Sequence, residues 1–402
     1  MTKKLKIGIC GTGQFAGSFI PLFKAHPMVE EVYTAELLPE RRQREAQRFG
    51  IQKTFDSLDE LIKSDVDAIV LMTQRWMHAP QAVKALKAGK HVYSAVPAAT
   101  SMEELNELVE TVKSTGLTYM MGETSYYYPV TIYCRERFAA GDFGRFVYGE
   151  AEYLHDMSVG FYEAYQYSGG ENWKQTASYP PMLYPTHSVS MILSVTGSRM
   201  TEVSCMGFVD QHDDGVFRAD VSLWKNTFSN ETALFRTADG GMCRINEFRR
   251  VGYRAHPEVR MSLFGTEGNF EEQTHGRVWN TRNLNETANL SDLLACKPPS
   301  QMDRAEYEHI APDLRLGFFT GVSPVHPVDR LPAEFIGLPN GHEGSHQFLV
   351  LDFLEAILNE RLPTVNVWEA ARYNVPGIVA HESAKRNGEL LKIPDFGEAP
   401  TA

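Results

Sequence analysis

Residues Leu5-Lys-Ile-Gly-Ile-Cys10 form a short apolar run, and Gly11-Thr12-Gly13-Gln14-Phe15-Ala16 follows it directly. A second apolar stretch then runs through Phe19, Ile20, Leu22 and Phe23. A G-x-G-x-x-A segment between a strand pattern and a helix pattern leaves few folds open. Gly11 permits the tight turn, Gly13 lets the backbone approach a pyrophosphate, and small Ala16 lets helix and strand pack closely. The helix N-terminus then faces the phosphates. Gly11, Thr12, Gly13, Gln14, Phe15 and Ala16 are therefore candidate cofactor contacts. About twenty residues on, Val32-Tyr-Thr-Ala35 ends at Glu36, where an acidic side chain can hold the ribose hydroxyls of NAD and repel the 2′-phosphate of NADP. Arg41 and Arg42 leave room for NADP, and NAD is the expectation.

Strand and helix patterns keep alternating. Asp67-Ala-Ile-Val-Leu-Met72 is a continuous apolar strand, 78–88 is helical, 91–94 is a strand, 103–114 a helix, and 118–121 a strand ending at Gly122-Glu123. This spacing predicts a doubly wound parallel Rossmann sheet, covered on both faces. Ligands then bind beyond the carboxyl ends of the strands, at Thr73, Gln74, Ser94, Val96, Pro97 and Glu123, with His78 opening the following helix. From about residue 125 the rhythm changes. Segments 147–155, 202–208, 216–224, 231–237, 241–248 and 260–264 read as strands in close succession, which predicts a second domain with a large open, mainly antiparallel sheet. Residues 1–125 are expected to be the NAD-binding domain. Residues 126–402 are expected to form a substrate-binding and oligomerisation domain, whose helices at 345–359 and 367–384 pack back.

The balance of 39 Lys and Arg against 51 Asp and Glu repels phosphate backbones, so nucleic acid is not an expected partner. No apolar run reaches the ~18 residues of a membrane span, and the apolar stretch after Lys3, Lys4 and Lys6 does not read as a signal peptide. The 5 cysteines lack CxxC spacing. Neither disulfides nor a zinc site is indicated, no metal is expected, and a cytoplasmic location fits best.

The succession Gly11-x-Gly13-x-x-Ala16, Glu36, Thr73…His78, Lys90-His-Val-Tyr-Ser-Ala-Val-Pro97 and Gly122-Glu123 resembles the Gfo/Idh/MocA oxidoreductase family. Leu263-Phe-Gly-Thr-Glu-Gly268-Asn-Phe-Glu and Phe353-Leu-Glu-Ala-Ile…Pro363…Ala370…Ser383 resemble its second domain and closing helices. Most dehydrogenases of that family carry Glu-Lys-Pro where this chain has Ala95-Val96-Pro97. Valine can neither donate nor accept a proton, so their usual acid/base is missing here. Val-Pro at this point resembles the family's NAD-dependent glycosidases, acting on α-N-acetylgalactosaminides or, in a sulfoquinovosidase-like case, on an anionic sugar.

Three further segments resemble that branch: Glu152-Tyr-Leu-His155-Asp156, Leu183-Tyr184-Pro185-Thr186-His187, and Gly341-His342-Glu-Gly, where Glu343 replaces a glycine. The resemblance implies His187, Tyr184, Tyr153 and Glu123 as catalytic residues, and His155, Trp173, Arg249, His342 and Tyr126 as substrate contacts. The residue patterns allow this. Tyr153 and His155 share a strand face, and Tyr184 lies one helical turn from His187 if Pro185 begins a helix. Arg249, Arg250 and Arg254 form a basic cluster that either binds an anionic sugar or makes salt bridges on a sheet face. The implied reaction oxidises the sugar transiently at C3, eliminates the C1 group, adds water and reduces C3 again, with tightly bound NAD recycled. A conventional NAD(P)-dependent sugar or polyol dehydrogenase is one alternative, and a non-catalytic NAD or sugar sensor a second. The resemblance also implies a homodimer or homotetramer acting on a carbohydrate or glycoside.

Overall fold

A computed structural model describes residues 4–253, 257–296, 321–338 and 340–400. The chain divides into two compact units. The first comprises Met1–Pro129, Leu293–Ala371 and Gly397–Ala402, and the second Val130–Asp292 and Arg372–Phe396. The described residues between 293 and 371 thus belong with the nucleotide-binding part, although the sequence pattern groups them with everything after 125.

In the first unit, strands β1 (Leu5–Cys10), β2 (Val29–Ala35), β3 (Thr54–Phe55), β4 (Ala68–Leu71), β5 (His91–Ser94) and β6 (Tyr119–Met121) form one parallel sheet in the order β3-β2-β1-β4-β5-β6. The order reverses between β1 and β4, which opens a crevice at their carboxyl ends. Strand β4 is buried along its whole length, as a sheet covered on both faces requires. The connecting helices are punctuated by ordinary signals. Ser101 caps the helix Met102–Thr115 by accepting from the Glu104 N–H, and Gly116 ends it in the left-handed region. The later segment is tied in by polar groups: Met121 N–H donates to Val365 O at 3.0 Å, and buried Asp352 accepts from Tyr127, Arg330 and Thr364.

The second unit is built on β7 (Phe146–Leu154), β8 (Met200–Val209), β9 (Phe228–Thr237), β10 (Met242–Phe248), β11 (Val259–Gly265), β12 (Gly268–Gln273), β13 (Gly276–Thr281), β14 (Ala288–Asn289) and β15 (Leu391–Lys392). They form one mixed sheet in the order β14-β13-β12-β11-β7-β10-β9-β8-β15. Only the β7–β10 pairing is parallel, and every other pairing is antiparallel. Residues alternate between a buried inner face and an exposed outer one, most cleanly along β9. The helix Thr186–Thr196 packs on the inner face against β7 and β11.

One expected strand is absent. Residues 216–224 alternate in polarity but form turns, because the N–H groups of Val221 and Ser222 both close back on Arg218 O. Val216 and Phe217 are drawn instead into a small apolar cluster with Met157, Tyr165 and Ala177. The helical turns between Met157 and Ala177 that supply this cluster have no strong signal in the sequence. Arg254 lies outside the described residues.

Candidate functional site

The glycine-rich turn has the geometry a dinucleotide needs. Gly11 sits at φ +88°, and a Cβ there would meet Met72 O at 2.7 Å, so only glycine fits. A Cβ on Gly13 would meet nothing within 4 Å, which leaves the open space a pyrophosphate cradle requires. Ala16 is fully buried, as close helix–strand packing demands. Glu36 stands just past β2. One carboxylate oxygen accepts from the Thr12 N–H at 3.1 Å and the Thr12 hydroxyl at 3.2 Å, and the other from the Leu38 N–H at 3.1 Å. The acidic residue thus steadies the turn while standing where a ribose diol would be held. Arg42 is committed to Asp56 and to Glu36 O.

Around the other strand ends, His78 is buried, with Nδ1 2.9 Å from Pro97 O and Nε2 3.2 Å from Thr73 O. Burial pushes this imidazole down to about 4, so the neutral ring lies between the Thr73 and Pro97 carbonyls and donates its single N–H to one of them. The Thr73 hydroxyl donates to Gln81 Oε1, and buried Ser94 donates to Ala95 O. Gln74 precedes the short turn Arg75–Met77. Val96 is buried, and the Val96–Pro97 peptide is cis. Glu123 is fully buried just past β6, with one oxygen accepting from the Ser125 N–H and hydroxyl. Tyr126 packs edge-on against Tyr127.

His342 belongs to this first unit. Its ring lies edge-on to Phe15 of the glycine-rich turn at 5.5 Å, and its Nδ1 is 2.8 Å from His346 Nε2. His342 and Glu343 are both left-handed, at φ 48° and 50°. Glu343 therefore adopts the conformation that the glycine of the resembling motif favours, at a conformational cost a glycine avoids.

In the second unit the structure brings Tyr153, His155, Tyr184, His187 and Arg249 together. The His187 ring stands edge-on to Tyr153 at 5.4 Å and to Tyr184 at 5.3 Å. Tyr184 precedes the helix rather than occupying its first turn, since that helix starts at Thr186 with Pro185 as its cap. The Tyr153 hydroxyl donates to His155 Nδ1 at 3.0 Å, and His155 Nε2–H donates to Val159 O at 2.7 Å. The same Nδ1 lies 3.0 Å from Glu258 Oε2, and the imidazole stacks on Phe161 at 3.9 Å. The Tyr153 hydroxyl and the Glu258 carboxylate thus converge on one imidazole nitrogen, which can take the tyrosine's proton.

Arg249 is buried here. It ion-pairs with Glu247 at 2.9 Å and lies 4.6 Å over the Tyr153 ring. Of the two sequence readings it makes a salt bridge, but inside the unit rather than on a solvated face. Arg250 pairs with Asp214. Trp173 stands edge-on to Tyr162 beside the small Met157 cluster, against which Phe161, the ring stacked on His155, also packs. Glu258, Glu247 and Ser188 escaped sequence reasoning, because nothing short of strand register shows which residues they face.

Residues 5–123 match the family model described as "Oxidoreductase family, NAD-binding Rossmann fold" (GFO_IDH_MocA), and this part of the chain is an NAD-binding domain of the Gfo/Idh/MocA family. Over almost its whole length the chain is similar to proteins named glycosyl hydrolase family 109. One from Saccharopolyspora erythraea is 23% identical, with 98% of this chain and 83% of that one covered. One from Streptomyces niveus is 25% identical, with 98% and 77% covered. Among solved structures, a levoglucosan dehydrogenase in complex with NADH has the same fold, at a TM-score of 0.73 and 18% identity, with 98% of this chain and 100% of that one covered. Among the described residues no helix is long and apolar enough to cross a membrane, and no group of three or more His, Cys, Asp or Glu is arranged to hold a metal ion.

Proposed function

We propose that the chain is an NAD-dependent glycoside hydrolase that oxidises its sugar at C3 only transiently. The Tyr153, His155 and Glu258 group beside His187 carries this reading, because it supplies a base of the kind that a valine such as Val96 cannot be. The names of the full-length relatives support it. Gly11 to Ala16 and Glu36 would hold NAD, which would supply a reversible hydride acceptor for C3. His187 takes the proton of the C3 hydroxyl. The resulting ketone acidifies the C2 proton, which Tyr153 removes towards His155. The C1 substituent then leaves with its bonding electrons as the C1–C2 double bond forms. Water adds its oxygen and one hydrogen at C1, its other proton goes to the departed C1 group, the abstracted proton returns to C2, and C3 is reduced again as His187 gives its proton back to the oxygen. Tyr184 orients the ring, and Glu123 holds the nicotinamide ribose or the sugar.

No net oxidant is consumed on this scheme, so the cofactor remains bound between turnovers. The side chains Met206, Phe208, Leu234 and Met242, exposed on the outer face of the second sheet, support assembly into a homo-oligomer. Hydrolysis of chromogenic glycosides in D₂O is expected to place deuterium at C2 of the released sugar. Hydrolysis without that exchange sinks the mechanism. Stoichiometric NADH formation from free sugars identifies a dehydrogenase instead.

A further inference from the structure

One buried carboxylate has no part in the scheme above. Glu247 lies on β10, in register with Tyr153 on β7 and with Glu231 on β9, and it is fully buried. One of its oxygens accepts from the Ser188 hydroxyl, and the other from Arg249 at 2.9 Å. Both contacts lead to the residues assigned as bases. Ser188 follows His187 at the start of the helix Thr186–Thr196, and its hydroxyl also lies 3.0 Å from Pro185 O. Arg249 spreads its guanidinium 4.6 Å over the Tyr153 ring and donates to Tyr153 O at 3.3 Å.

Glu231, the neighbour in register, is engaged elsewhere. Its oxygens accept from the Met182 N–H at 2.7 Å and face His381 Nδ1 at 2.8 Å. The two buried carboxylates therefore do not compete for Arg249. A buried ion is costly and persists only when its partners are well placed. Here each partner is one step from the assigned pair.

We propose that Glu247 is the positioning residue of the site: through Ser188 it fixes the helix start that presents His187, and through Arg249 it fixes the ring of Tyr153. This rests on the reading of Tyr153 and His187 as the bases of the reaction. The charged and titratable groups around Glu247 are Arg249 on its own strand, Tyr153 on β7, Glu231 with its partner His381, and His187. Burial pushes Glu247 up to about 7, while Arg249, Ser188 and His187 oppose that rise. The carboxyl therefore changes charge in the range where the bases must work.

The test uses the NAD-loaded protein labelled with [¹³Cδ]glutamate. One carboxyl resonance, absent from Glu247→Gln, is expected to titrate near 7, apart from the other glutamates. In His187→Asn its midpoint is expected to rise, because the His187 side chain is one of the groups that hold it down. A Glu247 resonance that titrates with the exposed glutamates, or that ignores His187→Asn, overturns the proposal. In kinetics, Glu247→Gln and the milder Ser188→Ala are each expected to lower kcat by about 10²-fold. KM should stay within about twofold, and the pH profile of kcat should move. Unchanged kcat and pH profile in both variants overturn the proposal as well. A wild-type protein that hydrolyses no glycoside defeats the proposed function, and the carboxyl titration then decides the coupling of Glu247 to His187 by itself.

Discussion

A methyl group at Gly11 would lie 2.7 Å from the Met72 carbonyl oxygen, on a residue already at φ +88°. Neither problem can be relieved by a rotamer change, since the obstacle is backbone. Gly11→Ala is expected to cost roughly 1–3 kcal/mol of stability from the backbone conformation alone and to weaken NAD binding. Thermal unfolding with and without NAD checks this, and a variant that keeps both the wild-type melting temperature and the NAD-induced shift refutes it. Gly11, Gly13 and Glu36 were legible in the sequence because their task is local. Each needs only its own turn or strand end to be in place. Glu258 and Glu247 were not, because their meaning depends on which strand lies alongside. His342 was legible as a residue worth noting, but nothing in its motif tells that Phe15 is its neighbour.

At the scale of elements, apolar periodicity located both sheets and the helices Met102–Thr115, His346–Leu358 and Val367–Lys385. It failed where a short chain segment turns while still alternating in polarity, as at 216–224. Two apolar side chains and one carbonyl, Arg218 O, outweighed the strand pattern there. The helix Val367–Lys385 also governs the segment carrying Tyr184. A Cβ on Gly377 would lie 2.0 Å from Met182 O and 2.4 Å from Pro185 Cγ. Gly377→Ala therefore has to push the 182–185 segment away from the helix. We expect a loss of about 1–3 kcal/mol, together with a fall in kcat, since Tyr184 and His187 are both attached to that segment. Wild-type kcat and stability in this variant would show that the helix does not set the position of the segment.

At the scale of the whole molecule, the buried histidines of the first unit and the buried Glu247 of the second respond to acid in opposite senses. Burial holds His26, His78 and His326 of the first unit down to about 4, and His346 well below its usual value. The unfolded chain, with ordinary imidazoles near 6.5, binds these protons first. Stability is then complete above pH 6.5 and is lost as the pH falls towards 4, by roughly 1.4 kcal/mol per pH unit for each imidazole. Glu247 of the second unit is raised to about 7. The folded state takes up that proton first, so its contribution grows as the pH falls from 7 to 4.5. Calorimetry at pH 7 and pH 5 is expected to show the first unit melting earlier in acid, and a single unmoved transition would contradict this assignment.

The division of the first unit into separate stretches of chain has a consequence for synthesis. Tyr127 needs Asp352 and the His326 ring, and Met121 needs Val365. A ribosome delivers the whole of β7 to β14 before any of these partners appears. The nucleotide-binding unit, although it begins the chain, is therefore the one that must wait, and while it waits the nascent protein exposes to chaperones and proteases the surface around Met121 and Tyr127 that those later residues cover.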